Sequence, residues 1–141
     1  MAFMEWHDDL TVGVPKLDQE HRQLVALVGD LFNTADSPRD VALFEWRMDL
    51  LIKHTLAHFT SEERLMHETN YRDRQTHQLQ HRALIMQIRV LRTAVAEDLL
   101  VWNEDMVRLI RDWLLVHIIE ADRPLAAYLR NFPAAPPAPL V

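Results

Sequence analysis

Apolar residues return along this chain at alternating intervals of three and four, the repeat of a helix that buries a single stripe. The spacing predicts a first helix from Asp18, as N-cap, to Asn33, with His21, Leu24, Val28 and Leu31 facing inward. The stretch NTADSPRD then gives a start signal, with Ser37 as N-cap, Pro38 at the first helical position and Asp40 completing a Ser-x-x-Asp box. A second helix follows to about Met66, with Phe44, Met48, Leu51, Thr55, His58, Glu62 and Leu65 along its seam. After the break ETNYRDRQ, a third helix from Arg74 to Ala96 carries His77, His81, Leu84, Ile88, Leu91 and Val95. A fourth, from Asn103, turns Met106, Ile110, Trp113 and His117 inward, and Pro124 is expected to bend or end it.

Only two glycines and no strand-like alternation leave an all-α chain. Its short connections predict an up-down-up-down antiparallel four-helix bundle. Residues 1–132 are read as one domain, with an extended N-terminal arm whose Phe3, Met4 and Trp6 pack on the bundle. Residues 133–141, PAAPPAPLV, are read as a flexible Pro/Ala-rich tail.

The seams are not purely apolar, and this is what points to chemistry. In WLLVHIIEAD, His117 and Asp122 sit among Leu, Val and Ile, where an unpaired polar group costs several kcal/mol. An antiparallel bundle brings together the start of helix one, the end of helix two, the start of helix three and the end of helix four. His21, His58, Glu62, His77, His81, His117 and Asp122 therefore meet at one end of the core. Five imidazoles and two carboxylates buried together need cations, since otherwise the carboxylates protonate and ring nitrogens lack partners. Seven donors exceed what one divalent ion takes, and two of them are carboxylates able to bridge, so a dinuclear site is expected. Imidazole-rich, carboxylate-bridged surroundings suit iron, although zinc, manganese or cobalt could bind in vitro.

Composition narrows the alternatives. The net charge of −6, with no cluster of Lys and Arg, argues against nucleic acid or anionic membrane as a partner. With no Cys, thiolate zinc sites, cysteine-held iron–sulfur clusters and CxxCH haem attachment are excluded. No signal sequence and no 18-residue apolar span are seen, so a cytoplasmic location is expected.

The ordered set His21, His58-x-x-x-Glu62, His77-x-x-x-His81 and His117-x-x-x-x-Asp122, with WHDDLTVGV before LDQEH and the string HFTSEERLM, resembles the hemerythrins over residues 6 to 130. Within that family it is most similar to the bacterial single-domain members. The resemblance implies an oxo- or hydroxo-bridged pair of non-haem irons. His77, His81 and His117 would bind one iron and His21 and His58 the other, with Glu62 and Asp122 as bridges. It also implies that dioxygen binds at the open position of the second iron, in a pocket walled by Phe59, Trp113, Leu114 and Ile118. No catalytic residue is implied.

Each signal has a plainer reading. A lone His on an apolar face is usually a core residue, and HxxxH alone is frequent by chance. Only the conjunction of seven in register decides for metal. His7, His54 and His67 are spare, His54 being the nearest impostor one turn before His58. Met4, Met48, Met66 and Met106 are read as gap-filling core. The leading function is reversible dioxygen binding for storage, delivery or scavenging, by a protein that is not an enzyme. The alternatives are an oxygen- or iron-sensing module and a diiron enzyme of oxidase, peroxidase or nitric-oxide chemistry. A histidine-rich shell disfavours the last, because oxygen-activating diiron enzymes draw four carboxylates and two Glu-x-x-His motifs from their bundles.

Overall fold

Pro15 opens the first helix, where its fixed φ fits and its missing N–H is no loss. In the computed structural model, which describes residues 6–36 and 40–132, α1 runs Pro15–Asn33. Asp18 is therefore not the N-cap. From inside the first turn its carboxylate reaches back and accepts the N–H groups of Val12 at 2.8 Å and Gly13 at 3.2 Å. Gly13 has φ +88°, a conformation glycine adopts without strain. A capping Asp accepts N–H groups two or three residues after it, whereas Asp18 accepts from residues five and six before it; both uses put an Asp near a helix start, so sequence alone does not separate them.

Helix α2 spans Val41–Glu68 and is capped by Asp40, whose side chain accepts the Leu43 N–H at 3.0 Å. The expected box thus contributes its acidic member as the cap itself, and Ser37 and Pro38 lie outside the described residues. Helix α3, Arg74–Ala96, has the expected bounds. Both α2 and α3 end without glycine, on Asn70 (φ 53°) and Asp98 (φ 60°) in the left-handed region. Tyr71 N–H then bonds Met66 O and Leu99 N–H bonds Ala94 O, each at 2.8 Å, which satisfies carbonyls the helix ends leave open.

Helix α4, Glu104–His117, is capped by Asn103, which accepts the Met106 N–H at 3.1 Å. Pro124 does not end it. A single π-helical turn, Ile118–Asp122, follows, and α5, Arg123–Asn131, continues with Pro124 in its first turn, where its missing N–H is tolerated. Among the described residues there is no strand, and no helix is long and apolar enough to cross a membrane.

Packing runs α1 on α2, α2 on α3, α3 on α4 and α4 back on α1, closing a four-helix bundle. Its main core joins Leu24, Val28 and Leu31 of α1, Phe44, Met48 and Leu51 of α2, Ile88 of α3, and Met106, Ile110 and Leu114 of α4. Leu114 rather than Trp113 carries the α4 seam, Trp113 being half-buried at its edge. Beyond the metal-ligand level, Val12, Leu17, Ile118 and Ala126 form a second cluster, and Met66, Tyr71 and Leu125 a third. The polar centre is thus closed by apolar packing from both ends. Of the arm, Phe3 and Met4 lie outside the described residues, as do residues 133–141 and any reading of that tail. Trp6 is half-buried, with the Arg22 guanidinium 5.0 Å above its ring.

Candidate metal centre

All seven seam residues are buried, from 0% exposed for His21, Glu62 and Asp122 to 7% for His117. Antiparallel packing brings them to one level. His21 near the start of α1 meets His58 late in α2 with Nε2 atoms 3.1 Å apart, and His81 early in α3 meets His117 at the end of α4 at the same distance. Each of the five imidazoles presents Nε2 to this shared space.

The carboxylates lie between two groups of histidines. Asp122 turns Oδ2 toward His21 Nε2 at 2.8 Å and Oδ1 toward His77 and His117 Nε2, each at 3.1 Å. Glu62 turns Oε1 toward His58 at 2.6 Å and Oε2 toward His77 at 3.3 Å. Two ligand sets with donor atoms within 4.8 Å of one another result: Glu62, His77, His81, His117 and Asp122; and His21, His58, Glu62 and Asp122. Both carboxylates belong to both sets.

The donor atoms suit metal better than they suit one another. Both Glu62 oxygens, His77 Nε2 and Asp122 Oδ1 are buried without an aligned hydrogen bond, although imidazoles stand 2.6–3.3 Å from the oxygens and carboxylates 3.1–3.3 Å from the nitrogen. Nearness without alignment is what groups aimed at a common centre give, and a divalent cation satisfies them together.

Electrostatics agrees. Burial works against charge on His58, but the neighbouring carboxylates of Asp122, Glu20 and Glu62 outweigh it and hold the imidazole well above its usual value. Burial likewise opposes charge on His77, and Asp122 and Glu62 raise it to about 9. Burial, then the charges of His117 and His77, push His81 down to about 2. Burial drives Asp122 upward, yet the imidazoles of His117, His21, His58 and His77 around its carboxylate keep it well below the carboxylate range. In the metal-free chain, protons on His58 and His77 balance the charge that a cation balances when bound.

Asp122 reaches the centre because of the π turn. Five residues along an α-helix turn about 140° away from His117. Here Arg123 N–H bonds Ile118 O, five residues back, and the widened turn returns position 122 to the face of His117.

Two carboxylates that sequence reasoning missed stand behind the imidazoles. His58 Nδ1–H donates to Glu20 Oε1 at 2.9 Å, and His81 Nδ1–H donates to Glu63 Oε2 at 3.3 Å. Their only sequence signal is adjacency, Glu20 before His21 and Glu63 after Glu62. Phe59 lies flat on His81, ring centroids 3.7 Å apart and planes within 6°. Leu114 and Ile118 flank His117 but enter different apolar clusters, and Trp113 packs against the cluster of Phe59, Leu84 and Ile85. His7 and His67 are exposed and His54 half-buried, and none of the three joins a ligand set.

Known proteins share this arrangement of chain. The Hemerythrin HHE cation binding domain matches residues 12–129. A bacteriohemerythrin of Stenotrophomonas maltophilia (strain R551-3) is 30% identical over 138 residues, 94% of this chain and 88% of the relative. A myohemerythrin of Theromyzon tessulatum is 29% identical over 118 residues, 84% of this chain and 87% of its own. The crystal structure of a wild-type hemerythrin superposes with a TM-score of 0.83 at 28% identity, covering 89% of this chain and 97% of that one. With the domain matched over most of its length and the same bundle in a solved relative, the chain belongs to the hemerythrin family, whose members bind dioxygen at a non-haem diiron centre.

Proposed function

We propose that this chain is a reversible dioxygen binder for storage, delivery or scavenging, and not an enzyme. In this reading His77, His81 and His117 hold one iron, His21 and His58 hold the other, and Glu62 and Asp122 bridge them. The observation that carries it is the two-sided placement of both carboxylates, each offering one oxygen to each histidine group. When bound, the pair of irons supplies the electrons that dioxygen takes up.

The chain's own residues do the rest. The set containing His21 and His58 has four members against five, so it leaves one position for a ligand. Phe59, Leu114 and Ile118, buried to 2–3% exposure, and half-buried Trp113 wall the neighbourhood and exclude water, which favours release of dioxygen unchanged over its loss in reduced form. Five imidazoles against two carboxylates also stand apart from the carboxylate-rich sets of oxygen-activating diiron bundles.

The test is the visible spectrum of the reduced, iron-loaded protein, recorded without oxygen, after air, and after removal of oxygen. A band that appears with air and is lost on deoxygenation, at two irons per chain, is expected. Continuous consumption of oxygen by a reductant, or a single tightly held zinc on metal analysis, overturns the proposal.

A further inference from the structure

Beside the seven ligand-type side chains, two others touch the centre from behind, and their distribution is uneven. Among the described residues, a carboxylate meets Nδ1 of an imidazole at His58, from Glu20, and at His81, from Glu63. His21 Nδ1, by contrast, is buried with no partner. One of the two supported imidazoles lies in each ligand set. Neither acidic residue belongs to a set itself.

We propose that Glu20 and Glu63 are positioning residues, one for each iron, an inference that rests on the ligand reading above. A neutral imidazole has one N–H and one lone pair, and a carboxylate accepts only the N–H. With Nδ1–H tied to Glu20 or Glu63, the lone pair must sit on Nε2, the nitrogen that faces the shared space. The carboxylate also makes that nitrogen a stronger donor and fixes the ring plane. Each support comes from a neighbouring helix. Glu20 on α1 holds His58 on α2, and Glu63 on α2 holds His81 on α3. The residue adjacent in sequence, His21 or Glu62, faces the centre, so one helical turn supplies both a ligand and the support of another helix's ligand.

The two supports differ in strength. Glu20 stands at 2.9 Å and is 21% exposed; Glu63 stands at 3.3 Å, is 30% exposed and lines an open groove of about 690 Å³ between α2 and α3. His81 has the flat Phe59 ring as a second restraint, which His58 lacks at that closeness. Loss of Glu20 is therefore felt more than loss of Glu63.

The experiment compares Glu20→Ala, Glu20→Gln, Glu63→Ala and Glu63→Gln in the iron-loaded full chain. Glu68→Gln serves as the control, since Glu68 is 57% exposed and, among the described residues, pairs with Arg64 alone. Three quantities are read: the release of iron to a chelator resolved by equivalents, the midpoint potential, and the thermal midpoint of the metal-free protein. Glu20→Ala is expected to weaken retention of one equivalent about 10- to 100-fold, and Glu63→Ala to weaken the other by less. The Gln variants keep an acceptor oxygen but lose the charge. They should retain iron better than Ala while the midpoint potential rises, a change that mere packing does not produce.

Parent-like release and potential in all four variants, with two irons in the parent, overturns this inference and leaves the ligand reading standing. Acceleration of the same equivalent by both Ala variants also overturns it, as does weakening that simply follows a lower metal-free thermal midpoint. A parent that binds fewer than two irons, or a His77→Ala variant that keeps both, defeats the ligand reading and this inference with it.

Discussion

Phe59 joins fold and site most directly, and replacing it separates two jobs one ring performs. It is 2% exposed and stacks on His81 at 3.7 Å, with His117 5.6 Å away. Phe59→Ala removes the ring and leaves a cavity, a change worth about 3–5 kcal/mol in a packed core. At roughly 3–4 °C per kcal/mol for a chain of this size, the metal-free thermal midpoint should fall by roughly 10–20 °C. Phe59→Leu keeps most of the buried volume and loses chiefly the aromatic contact, about 0.5–1.5 kcal/mol, so its midpoint should fall by only about 2–6 °C. Yet Leu cannot lie flat on an imidazole, so His81 gains freedom and the iron of its set should leave faster to a chelator in both variants. Scanning calorimetry of the metal-free forms, with chelator-monitored release from the loaded forms, decides. If Phe59→Leu releases iron at the parent rate, the stack does not restrain His81. If both variants lose equal stability, volume is not what the ring contributes.

His77→Ala or His117→Ala should lose iron and stability together, while His7→Ala and His67→Ala keep about two irons per chain; metal analysis with a melting curve checks both halves. Leu114→Ala, beside His117, should keep both irons but shorten the lifetime of the oxygenated protein by admitting water, and an unchanged decay of its visible spectrum returns Leu114 to ordinary core. In the metal-free protein His77, raised from 6.5 to about 9, binds more proton folded than unfolded across that interval. The stability it provides is full below about pH 6.5 and is lost as pH rises through about 9, with His58 adding in the same direction. The metal-free midpoint should therefore fall between those values while the iron-loaded midpoint does not; a flat metal-free profile refutes the assignment.

Ligand-type residues were legible because they occupy seam positions whose role is normally apolar. His58 and Glu62 continue the spacing of Phe44, Met48 and Leu51, so periodicity alone places them inside. Glu20 and Glu63 were not legible for the converse reason. They lie beside the seam, where acidic residues are ordinarily solvated, and only the neighbouring helix reveals an imidazole there. Helix ends divided similarly. The fourth helix starts where expected, at Asn103, which the structure shows to be its cap, whereas Asp18 and Asp40 accept from donors other than those expected, because an acidic side chain near a helix start has several backbone N–H groups in reach. Trp113 and Leu114 are adjacent near the same face, and the larger ring was left at the rim while the smaller side chain filled the core.

The π turn also explains how a proline survives within a fourth helical rod. The inward line runs Ile110, Leu114, His117 and Ile118, then Asp122, Leu125 and Ala126, and the step from His117 to Asp122 is one residue more than an α-helical turn needs. The widened turn absorbs that extra residue, so α4 and α5 present one continuous face although their phases differ. Pro124 has no N–H, and in an α-helical interior its ring would strike the carbonyl four residues back, that of Glu120, which here lies inside the π turn. The additional residue and the proline are thus complementary defects. Deleting Ala121 alone would straighten the phase but drive the proline into an α-helical interior at about 3 kcal/mol or more. Pro124→Ala alone would restore a donor that pulls the turn toward α geometry and Asp122 away from the histidines. Made together, the two changes should offset each other, leaving His117 and the aspartate one α-turn apart and both irons in place.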